Sequence, residues 1–375
     1  MRIGLDARVL GAHKTGDRSY LLGLVQGFAS LPGDHQFLLY FDQSPPKLDL
    51  PPQFEIRVAP AAHPRLWTPF VLPRVAREDR IDVLQVQYIA PGCRRPRVVT
   101  TIHDVTYRLH PEWFPFKDRL LLDLGIRRSL PRVAGVITGS ECTRRDLGQV
   151  YGLPPERIAV TPYAAPAGFA RASAEQVSEV LQRHGLTQPY VLFVGVLQPR
   201  KNLVRILRAF LKAKQRSGLP HRLAVVGKMG WKSTEIEREM QAAEATGAVQ
   251  RLGYVPDEDL PSLFTGADVF LFPTLYEGFG IPVLEAFACG VPVITSDVSA
   301  LPEVAGDAAV LVDPTNEVAL SDALERVLGD PSLRTQLGEA GLKRAATFTW
   351  TRTAQQTLAY YEQILSGDSR PNARS

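Results

Sequence analysis

The sequence predicts an α/β protein with two doubly wound domains. Short apolar runs typical of buried strands alternate with helical stretches over most of the chain. This alternation favours parallel sheets with helices on both faces. It stops once, at the proline-rich residues 162–168, and then resumes. The length of 375 residues suits two or three domains. We therefore expect two Rossmann-like domains that face each other across a cleft.

The elements of the first domain follow from the period of its apolar residues. Runs rich in β-branched and aromatic residues predict strands at residues 2–7, 36–41, 54–58, 83–86, 98–102, 135–138 and 158–160. Helical periodicity predicts helices at residues 19–30, 113–130 and 143–151. Seven strands and their helices fit a first domain over residues 1–165.

The second domain repeats the alternation over residues 170–349. Strands are predicted at residues 190–194, 222–226, 250–252, 269–272, 291–295 and 309–312. Helices are predicted at residues 175–184, 203–217, 234–245, 282–288, 317–328 and 331–346, with a last amphipathic helix at 350–365. The polar residues 367–375 are expected to be a disordered tail.

Composition and charge narrow the class of protein. A hydrophobic content of 45% and a charged content of 22% are ordinary for a globular protein. The formal net charge of +4 suits anionic ligands and is too small to favour nucleic acid. No apolar run reaches the roughly 18 residues of a membrane span, and the start has no signal-peptide layout. Three scattered cysteines form no metal or redox spacing. We therefore expect the protein to be located in the reducing cytoplasm.

The stretch at residues 276–286 is the strongest candidate site. It follows a predicted buried strand, and seven residues separate its two carboxylates, Glu277 and Glu285. Gly278 and Gly280 favour a loop, and Pro282 suits the first turn of a helix. We expect Glu277 in that loop and Glu285 one turn inside the helix. Both side chains would then lie at the carboxyl end of the sheet, where open α/β sheets bind ligands.

A second candidate site lies after the first strand of the second domain. Residues 194–202 leave that strand and enter a helix, with Arg200 and Lys201 at the helix start. Two cations beside the amino terminus of a helix favour an anion, because the backbone N–H groups and the helix dipole act in the same direction. Two solvated surface charges are the alternative interpretation.

The carboxylate stretch, with its strand, glycines and helix, resembles the E-x7-E signature of the retaining glycosyltransferases of family four, which have the GT-B fold. The resemblance covers nearly the whole chain and is most specific from Tyr190 to Val312. It implies transfer of a hexosyl group, with mannosyl favoured, from a nucleotide-diphosphate sugar to a hydroxyl of a glycan or lipid-linked acceptor. The first domain would serve the acceptor and the second the donor, and the last helix would return to the first domain.

The resemblance also implies roles for individual residues. Glu285 would hydrogen-bond the donor ribose and Glu277 the donor sugar, while Arg200 and Lys201 would hold the phosphates. The other donor contacts that it implies are backbone groups of Phe279, Gly280 and Ile281, the backbone at Val255, and Gly16. Val196 stands where many family members carry an arginine, and Asp17 to Ser19 replace a second glycine.

His103 ends a strand of the first domain. A single histidine is more often a structural hydrogen-bonding group, but strand-end loops carry function. The resemblance places His103 beside the donor sugar, so His103 and Glu277 are the predicted catalytic residues. Asp104 either orients the imidazole or caps the following turn, and capping is preferred. Ser140 fits a helix N-cap or a position lining the cleft.

The resemblance implies no metal and no cofactor beyond the GDP- or UDP-linked sugar substrate. Alternatives are a nucleotide-sugar epimerase or phosphorylase on the same fold, or a non-catalytic sugar-nucleotide-binding protein. The basic, aromatic stretch at residues 113–132 is interpreted as an ordinary helix with a solvated face. Peripheral contact with the inner membrane face is the alternative for that stretch.

Overall fold

The computed structural model describes residues 1–11 and 16–367, which form two compact units. The first unit comprises Met1–Pro111, Phe116–Tyr163 and the chain from Thr349 onward. The second unit comprises Glu112–Pro115 and Ala164–Phe348. The chain passes between them inside the predicted linker. Most of the predicted disordered tail, residues 368–375, lies outside the described residues, as do residues 12–15.

The first unit contains a seven-stranded parallel sheet in the order β3-β2-β1-β4-β5-β6-β7. Its interior strands are almost wholly buried, as expected where helices cover both faces. The strands are β1 (Arg2–Asp6), β2 (Gln36–Phe41), β3 (Phe54–Val58), β4 (Val83–Gln87), β5 (Arg97–Thr101), β6 (Gly135–Thr138) and β7 (Ile158–Val160).

Six helices of this unit connect its strands. They are α1 (Gly16–Ala29), α2 (Pro64–Leu66), α3 (Leu72–Glu78), α4 (Thr106–Leu109), α5 (Phe116–Ser129) and α6 (Glu141–Tyr151). A π-helical turn, Trp67–Val71, joins α2 to α3. This whole segment was not predicted, because its three prolines interrupt the helical period of the sequence. Two of them lie in the first turns of α2 and α3, where a proline removes no helical hydrogen bond.

The second unit contains a six-stranded parallel sheet in the order β10-β9-β8-β11-β12-β13. Its strands are β8 (Tyr190–Val194), β9 (Arg222–Val226), β10 (Val249–Gly253), β11 (Val269–Phe272), β12 (Val293–Ser296) and β13 (Val310–Val312). Its helices are α7 (Ala174–Arg183), α8 (Leu203–Ser217), α9 (Thr234–Ala245), α10 (Leu260–Thr265), α11 (Ile281–Ala288), α12 (Leu301–Ala305), α13 (Glu317–Gly329) and α14 (Pro331–Ala345).

The last helix, α15 (Trp350–Ser366), belongs to the first unit. It packs on α1, where Gly23 and Gly27 leave room for Trp350. The Tyr361 hydroxyl donates a hydrogen bond to the buried Gln85 side chain on β4. These contacts place side chains of α15 in the interior of the first unit.

The predicted fold class of two doubly wound, Rossmann-like units is confirmed, and most predicted elements agree with the structure. Several boundaries differ by one to three residues, and two of these differences have a visible local reason. The Val291 N–H bonds to the Ala286 carbonyl at the end of α11, so β12 begins two residues later than predicted. The chain at Pro111–Trp113 forms a 3₁₀ turn, so α5 begins only at Phe116. No helix of the described residues is long and apolar enough to span a membrane.

Candidate functional site

The carboxyl ends of β8 and β9 approach each other closely at Gly195 and Gly227. Gly227 has φ +140°, and a Cβ there would lie 1.9 Å from the Gly195 carbonyl oxygen. Its N–H bonds to the carbonyl oxygen of Gly253, at the end of β10. Only glycine fits this position, because both the backbone angle and the space exclude a side chain. Gly227 was not among the predicted site residues, although a glycine directly after a predicted strand is a usable signal.

The chain after β8 forms a tight turn that fixes two cations. Residues Pro199–Lys201 make a 3₁₀ turn, and Asn202 follows with a left-handed backbone, φ 61°. The Asn202 amide donates to the carbonyl oxygens of Pro273 at 2.9 Å and Pro314 at 2.7 Å. These bonds tie the turn to the chain after β11 and after β13. Arg200 and Lys201 therefore lie at the carboxyl edge of the sheet, as predicted for an anion site.

Glu277 lies between these two cations. Its Oε1 accepts from Lys201 Nζ at 2.7 Å, and its Oε2 lies 2.9 Å from an Arg200 guanidinium nitrogen. The side chains of Glu277 and Lys201 are each only 9% exposed. Burial alone would raise the pKa of Glu277, but the charges and hydrogen bonds of Arg200 and Lys201 outweigh it, so the pKa is lowered. Two cations and one carboxylate leave one net positive charge in the cluster.

Backbone contacts hold this cluster in place. The Ser299 hydroxyl accepts from the Glu277 N–H at 3.0 Å, and the Arg200 guanidinium donates to the Tyr276 carbonyl oxygen at 3.0 Å. Lys201 Nζ also lies 4.6 Å from the centre of the Phe272 ring. Ser299, with φ 59°, lies in the loop after β12 and had no sequence signal. The position of Glu277 is thus fixed by groups from two other loops, those after β8 and after β12.

Helix α11 begins at this cluster. Gly280 precedes it with φ 112°, and a Cβ there would lie 2.8 Å from a Leu301 methyl carbon. Pro282 lies in the first turn and the buried Glu285 one turn further on, as predicted. The buried Phe279 and the first residue of the helix, Ile281, flank Gly280. The first N–H groups of a helix have no helical partner and carry partial positive charge, so they suit a sugar or phosphate oxygen.

Val196 and Val255, in the neighbouring loops, differ in their exposure to solvent. The side chain of Val255 is buried, so only its backbone is available for the contact predicted there. Val196 is 44% exposed and carries no charge. Lys228, which the sequence analysis missed, places its Nζ 4.7 Å from the centre of the exposed Tyr254 ring. This lysine adds a cation after β9.

His103, in the first unit, is held by two hydrogen bonds. Its Nδ1 lies 2.8 Å from the Tyr163 hydroxyl, and its Nε2 lies 2.7 Å from Gln87 Oε1. Because an amide oxygen only accepts, Nε2 carries the proton and Nδ1 accepts from Tyr163. Burial lowers the pKa of His103 against the opposing charges of Asp17 and Asp104. The imidazole is therefore neutral with a defined tautomer.

Asp104 and Ser140 of the first unit both accept a hydrogen bond from a backbone N–H at the start of a helix. Asp104 accepts from the Thr106 N–H at 2.9 Å, which confirms its capping role. Ser140 is the N-cap of α6 and accepts from the Thr143 N–H at 3.0 Å.

Gly16 is exposed and begins α1 instead of lying in a loop. Asp17, in the first turn of α1, lies 3.8 Å from His103 Nε2, a contact that the sequence did not indicate.

The arrangement in the second unit can bind a negatively charged ligand without a metal ligand set. A lysine, an arginine and a helix amino terminus meet at one edge of a parallel sheet, beside a carboxylate that accepts hydrogen bonds. Within residues 1–11 and 16–367, no group of three or more His, Cys, Asp or Glu side chains is arranged to hold a metal ion. These features would suit a phosphorylated, hydroxyl-bearing small molecule.

Sequence and structure comparisons give the class of this protein. The family described as "Glycosyl transferases group 1" matches residues 178–344, and "Glycosyltransferase Family 4" matches residues 16–166. An O-antigen chain mannosyltransferase B of Escherichia coli is 35% identical over 273 residues, which is 72% of this chain and 71% of that protein. A D-inositol 3-phosphate glycosyltransferase of Salinispora tropica is 32% identical over 246 residues, or 62% of this chain and 51% of that one.

Solved structures show the same fold. WaaG, a glycosyltransferase involved in lipopolysaccharide biosynthesis, superposes with a TM-score of 0.74 at 19% identity, over 98% of this chain and 100% of that one. The chain belongs to glycosyltransferase family four, with the GT-B fold, and is a hexosyltransferase that uses a nucleotide sugar. The family resemblance of the sequence is thereby confirmed.

Proposed function

We propose that the protein transfers a mannosyl group from a nucleotide-diphosphate mannose to a hydroxyl of a glycan or lipid-linked acceptor, with retention at the anomeric carbon. The observation that carries this proposal is the Arg200–Lys201–Glu277 cluster at the carboxyl end of β8 and β11. The mannosyl choice follows the similarity to the O-antigen chain mannosyltransferase.

The cluster suits a diphosphate leaving group for an electrostatic reason. Departure of the sugar places negative charge on the phosphate oxygen that it leaves. Arg200 and Lys201 are already fixed by Glu277 and by backbone carbonyls, so they need little reorganisation when that charge develops. We assign the phosphates to Arg200 and Lys201, with the N–H groups of Phe279, Gly280 and Ile281 as further donors.

The remaining roles follow the family resemblance. Glu277 would accept a hydroxyl of the donor sugar, Glu285 would hydrogen-bond the ribose, and the backbone at Val255 would meet the base. His103 and Gly16 of the first unit are assigned to the donor as well. The proposal includes no metal and no cofactor besides the GDP- or UDP-linked sugar. Retention is assigned to attack and departure on one face of the sugar, with a phosphate oxygen accepting the proton of the acceptor.

The acceptor is proposed to be a growing glycan. The mannosyltransferase relative is named for an O-antigen chain and matches over 71% of its own length. The relative named for D-inositol 3-phosphate matches over only 51% of its length and at lower identity. A saccharide acceptor with a free mannosyl end is therefore the first to test, and inositol 3-phosphate is the comparison.

The experiment starts with donor binding. We would measure thermal unfolding with GDP, UDP, ADP and their mannose or glucose conjugates, for the wild type, Glu285→Ala and Glu179→Ala. A ligand at about 100 times its dissociation constant adds about 2.7 kcal/mol to the free energy of unfolding. GDP-mannose should raise the melting temperature of the wild type and of the exposed-site control Glu179→Ala, and far less that of Glu285→Ala.

Turnover then tests the reaction. With GDP-mannose and a mannosyl-ended oligosaccharide, NMR of the product should show the anomeric configuration of the donor. Inversion at the anomeric carbon would refute retention. Stabilisation by UDP-glucose alone would refute the mannosyl donor, and equal shifts in Glu285→Ala and wild type would refute the proposed ribose contact.

A further inference from the structure

Helix α5 of the first unit presents an apolar face to solvent. Phe116 is 68% exposed, Leu121 53%, Leu120 50% and Leu124 41%. Ile89 extends this face, since it is 39% exposed and packs against Gly125 of the same helix. The helix has the solvated face expected from the sequence, and much of that face is apolar. Large contiguous apolar patches on a protein surface mark sites of interaction.

The same face carries basic residues. At about 100° per residue, the four apolar side chains and Lys117, Arg127 and Arg128 fall within an arc of about 140°. The acidic residues of the helix lie outside that arc. Asp123, at its edge, pairs with Arg127 at 3.1 Å, which leaves Lys117 and Arg128 as the charges of the exposed face.

Further cations adjoin the carboxyl end of α5. Arg132 lies against Gly92, since a Cβ there would be 3.6 Å from its side chain. The loop that follows Gly92 carries Arg94 and Arg95, which are both exposed. The basic charge therefore continues beyond the helix on the same unit.

We propose that this face of α5 docks the protein on an anionic lipid surface. Leucines and a phenylalanine would enter the boundary between headgroups and acyl chains, and Lys117 and Arg128 would contact lipid phosphates. A protein partner fits less well, because lysine is depleted at the centre of protein–protein interfaces. The proposal is independent of the donor and acceptor assigned above.

Sedimentation with vesicles tests the proposal on the full-length protein without any sugar substrate. One set of vesicles is phosphatidylcholine and the other is a mixture with phosphatidylglycerol. Each basic residue near an anionic surface contributes about fivefold to binding, so Lys117 and Arg128 together predict about 25-fold stronger partition onto the anionic vesicles. This preference should disappear at about 1 M salt, where the Debye length is about 3 Å.

Two double variants separate the apolar and charged contributions. Leu120→Gln/Leu124→Gln should lower partition by more than about tenfold, since burying a leucine contributes more than that factor. Lys117→Glu/Arg128→Glu should abolish the preference for anionic vesicles. The matched controls are Val318→Gln/Leu365→Gln and Lys212→Glu/Arg238→Glu, all at exposed helical positions elsewhere, and they should bind as the wild type does.

Three results would overturn the proposal. The first is no partition of the wild type onto either vesicle. The second is unchanged partition of both α5 variants. The third is self-association of the wild type without lipid that Leu120→Gln/Leu124→Gln removes, which would make a second copy the occupant. Unchanged melting temperatures of the variants confirm that they are folded.

Discussion

At the scale of single residues, the site in the second unit depends on opposing electrostatic effects at Glu277. Burial disfavours its charge, and two adjacent cations favour it more strongly. A buried ion pair adds little net stability over an apolar replacement, but the loss of one partner is costly because the other charge stays buried. The cluster therefore adds little net stability, which agrees with the ligand-binding role proposed above.

Glu277→Gln should lower the free energy of unfolding by about 3 kcal/mol, because Arg200 and Lys201 lose their shared carboxylate. The lowered pKa of Glu277 also determines in which direction stability changes with pH. The carboxylate contributes its stability above the ordinary pKa of 4.5, and this contribution is lost as pH falls from 4.5 through the lowered pKa. Urea unfolding from neutral to acidic pH should show this loss in the wild type and not in the variant.

Glu237→Gln is the matched control for that experiment. Glu237 also pairs with an arginine, Arg251 at 2.8 Å, but at the surface. Solvent screens such a pair, so its loss should cost less than about 1 kcal/mol. Equal destabilisation by the two substitutions would show that burial of the Glu277 cluster has no energetic consequence.

The hydrogen bonds of His103 predict its protonation. Burial lowers its pKa below the ordinary 6.5, so the neutral form contributes stability fully above pH 6.5, and this is lost as pH falls from 6.5 through the lowered pKa. Tyr163→Phe removes the donor to Nδ1 and should raise the pKa of His103. An NMR titration of the imidazole, assigned with His103→Asn, measures both values. A wild-type pKa above 6.5 would contradict the neutral imidazole, and a pKa unchanged by Tyr163→Phe would contradict the hydrogen bond from Tyr163 to Nδ1.

At the scale of elements, close packing of α15 on α1 depends on residues without side chains. Trp350 stacks on Tyr163 with ring centres 6.2 Å apart and occupies the space over Gly23. A Cβ at Gly23 would lie 2.0 Å from the indole ring. The two helices can therefore approach this closely only because α1 carries glycine at that position.

Gly23→Ala should destabilise the first unit even though alanine favours a helix by about 1 kcal/mol. The clash with Trp350 forces either helix to move, which typically costs about 1–3 kcal/mol in an overpacked core. Gly148→Ala, in α6, is the control, because its new methyl would meet only the Leu153 carbonyl oxygen at 3.5 Å. Urea unfolding should show a lower free energy of unfolding for Gly23→Ala and a free energy of unfolding raised by up to about 1 kcal/mol for Gly148→Ala. A gain in both would contradict the packing described here.

At the scale of the whole molecule, the first unit is discontinuous in sequence. Its sheet and six helices precede the long segment of the second unit, Ala164–Phe348, and α15 follows that segment. The buried Gln85 side chain of β4 has a hydrogen-bond partner on α15, the Tyr361 hydroxyl. The carboxyl-terminal segment is therefore part of the core of the first unit.

Truncation after Phe348 should selectively loosen the first unit, because it removes α15 and exposes the apolar surface beneath it. Hydrogen exchange should show loss of protection for amides of β4, such as Leu84, while amides of β9, such as Ala224, stay protected. Truncation after Gly367 keeps α15 and should leave both units protected. Protection of Leu84 in the shorter chain would show that α15 is dispensable.

Most strands and helices and the candidate site could be predicted from the sequence, since the periods of apolar residues in strands and helices are local. Strands β2, β3, β8, β9 and β11 and helices α8 and α9 have the predicted bounds, because their apolar residues are continuous or periodic and turn residues flank them. The segment from Pro64 to Glu78 was missed because its prolines interrupt that period. The candidate site was found through its motif, whose residues are close in sequence.

The fold class, the family and the candidate residues Arg200, Lys201, Glu277 and Glu285 could be inferred from local sequence patterns. The folded chain was needed to show that Lys201 and Glu277, 76 residues apart, form one buried ion pair, and that Tyr163 and Gln87 fix the tautomer of His103. It also decided that α5 exposes its apolar side chains. The physical reason is that local periodicity specifies elements, whereas the order of strands and the packing of helices bring distant residues together.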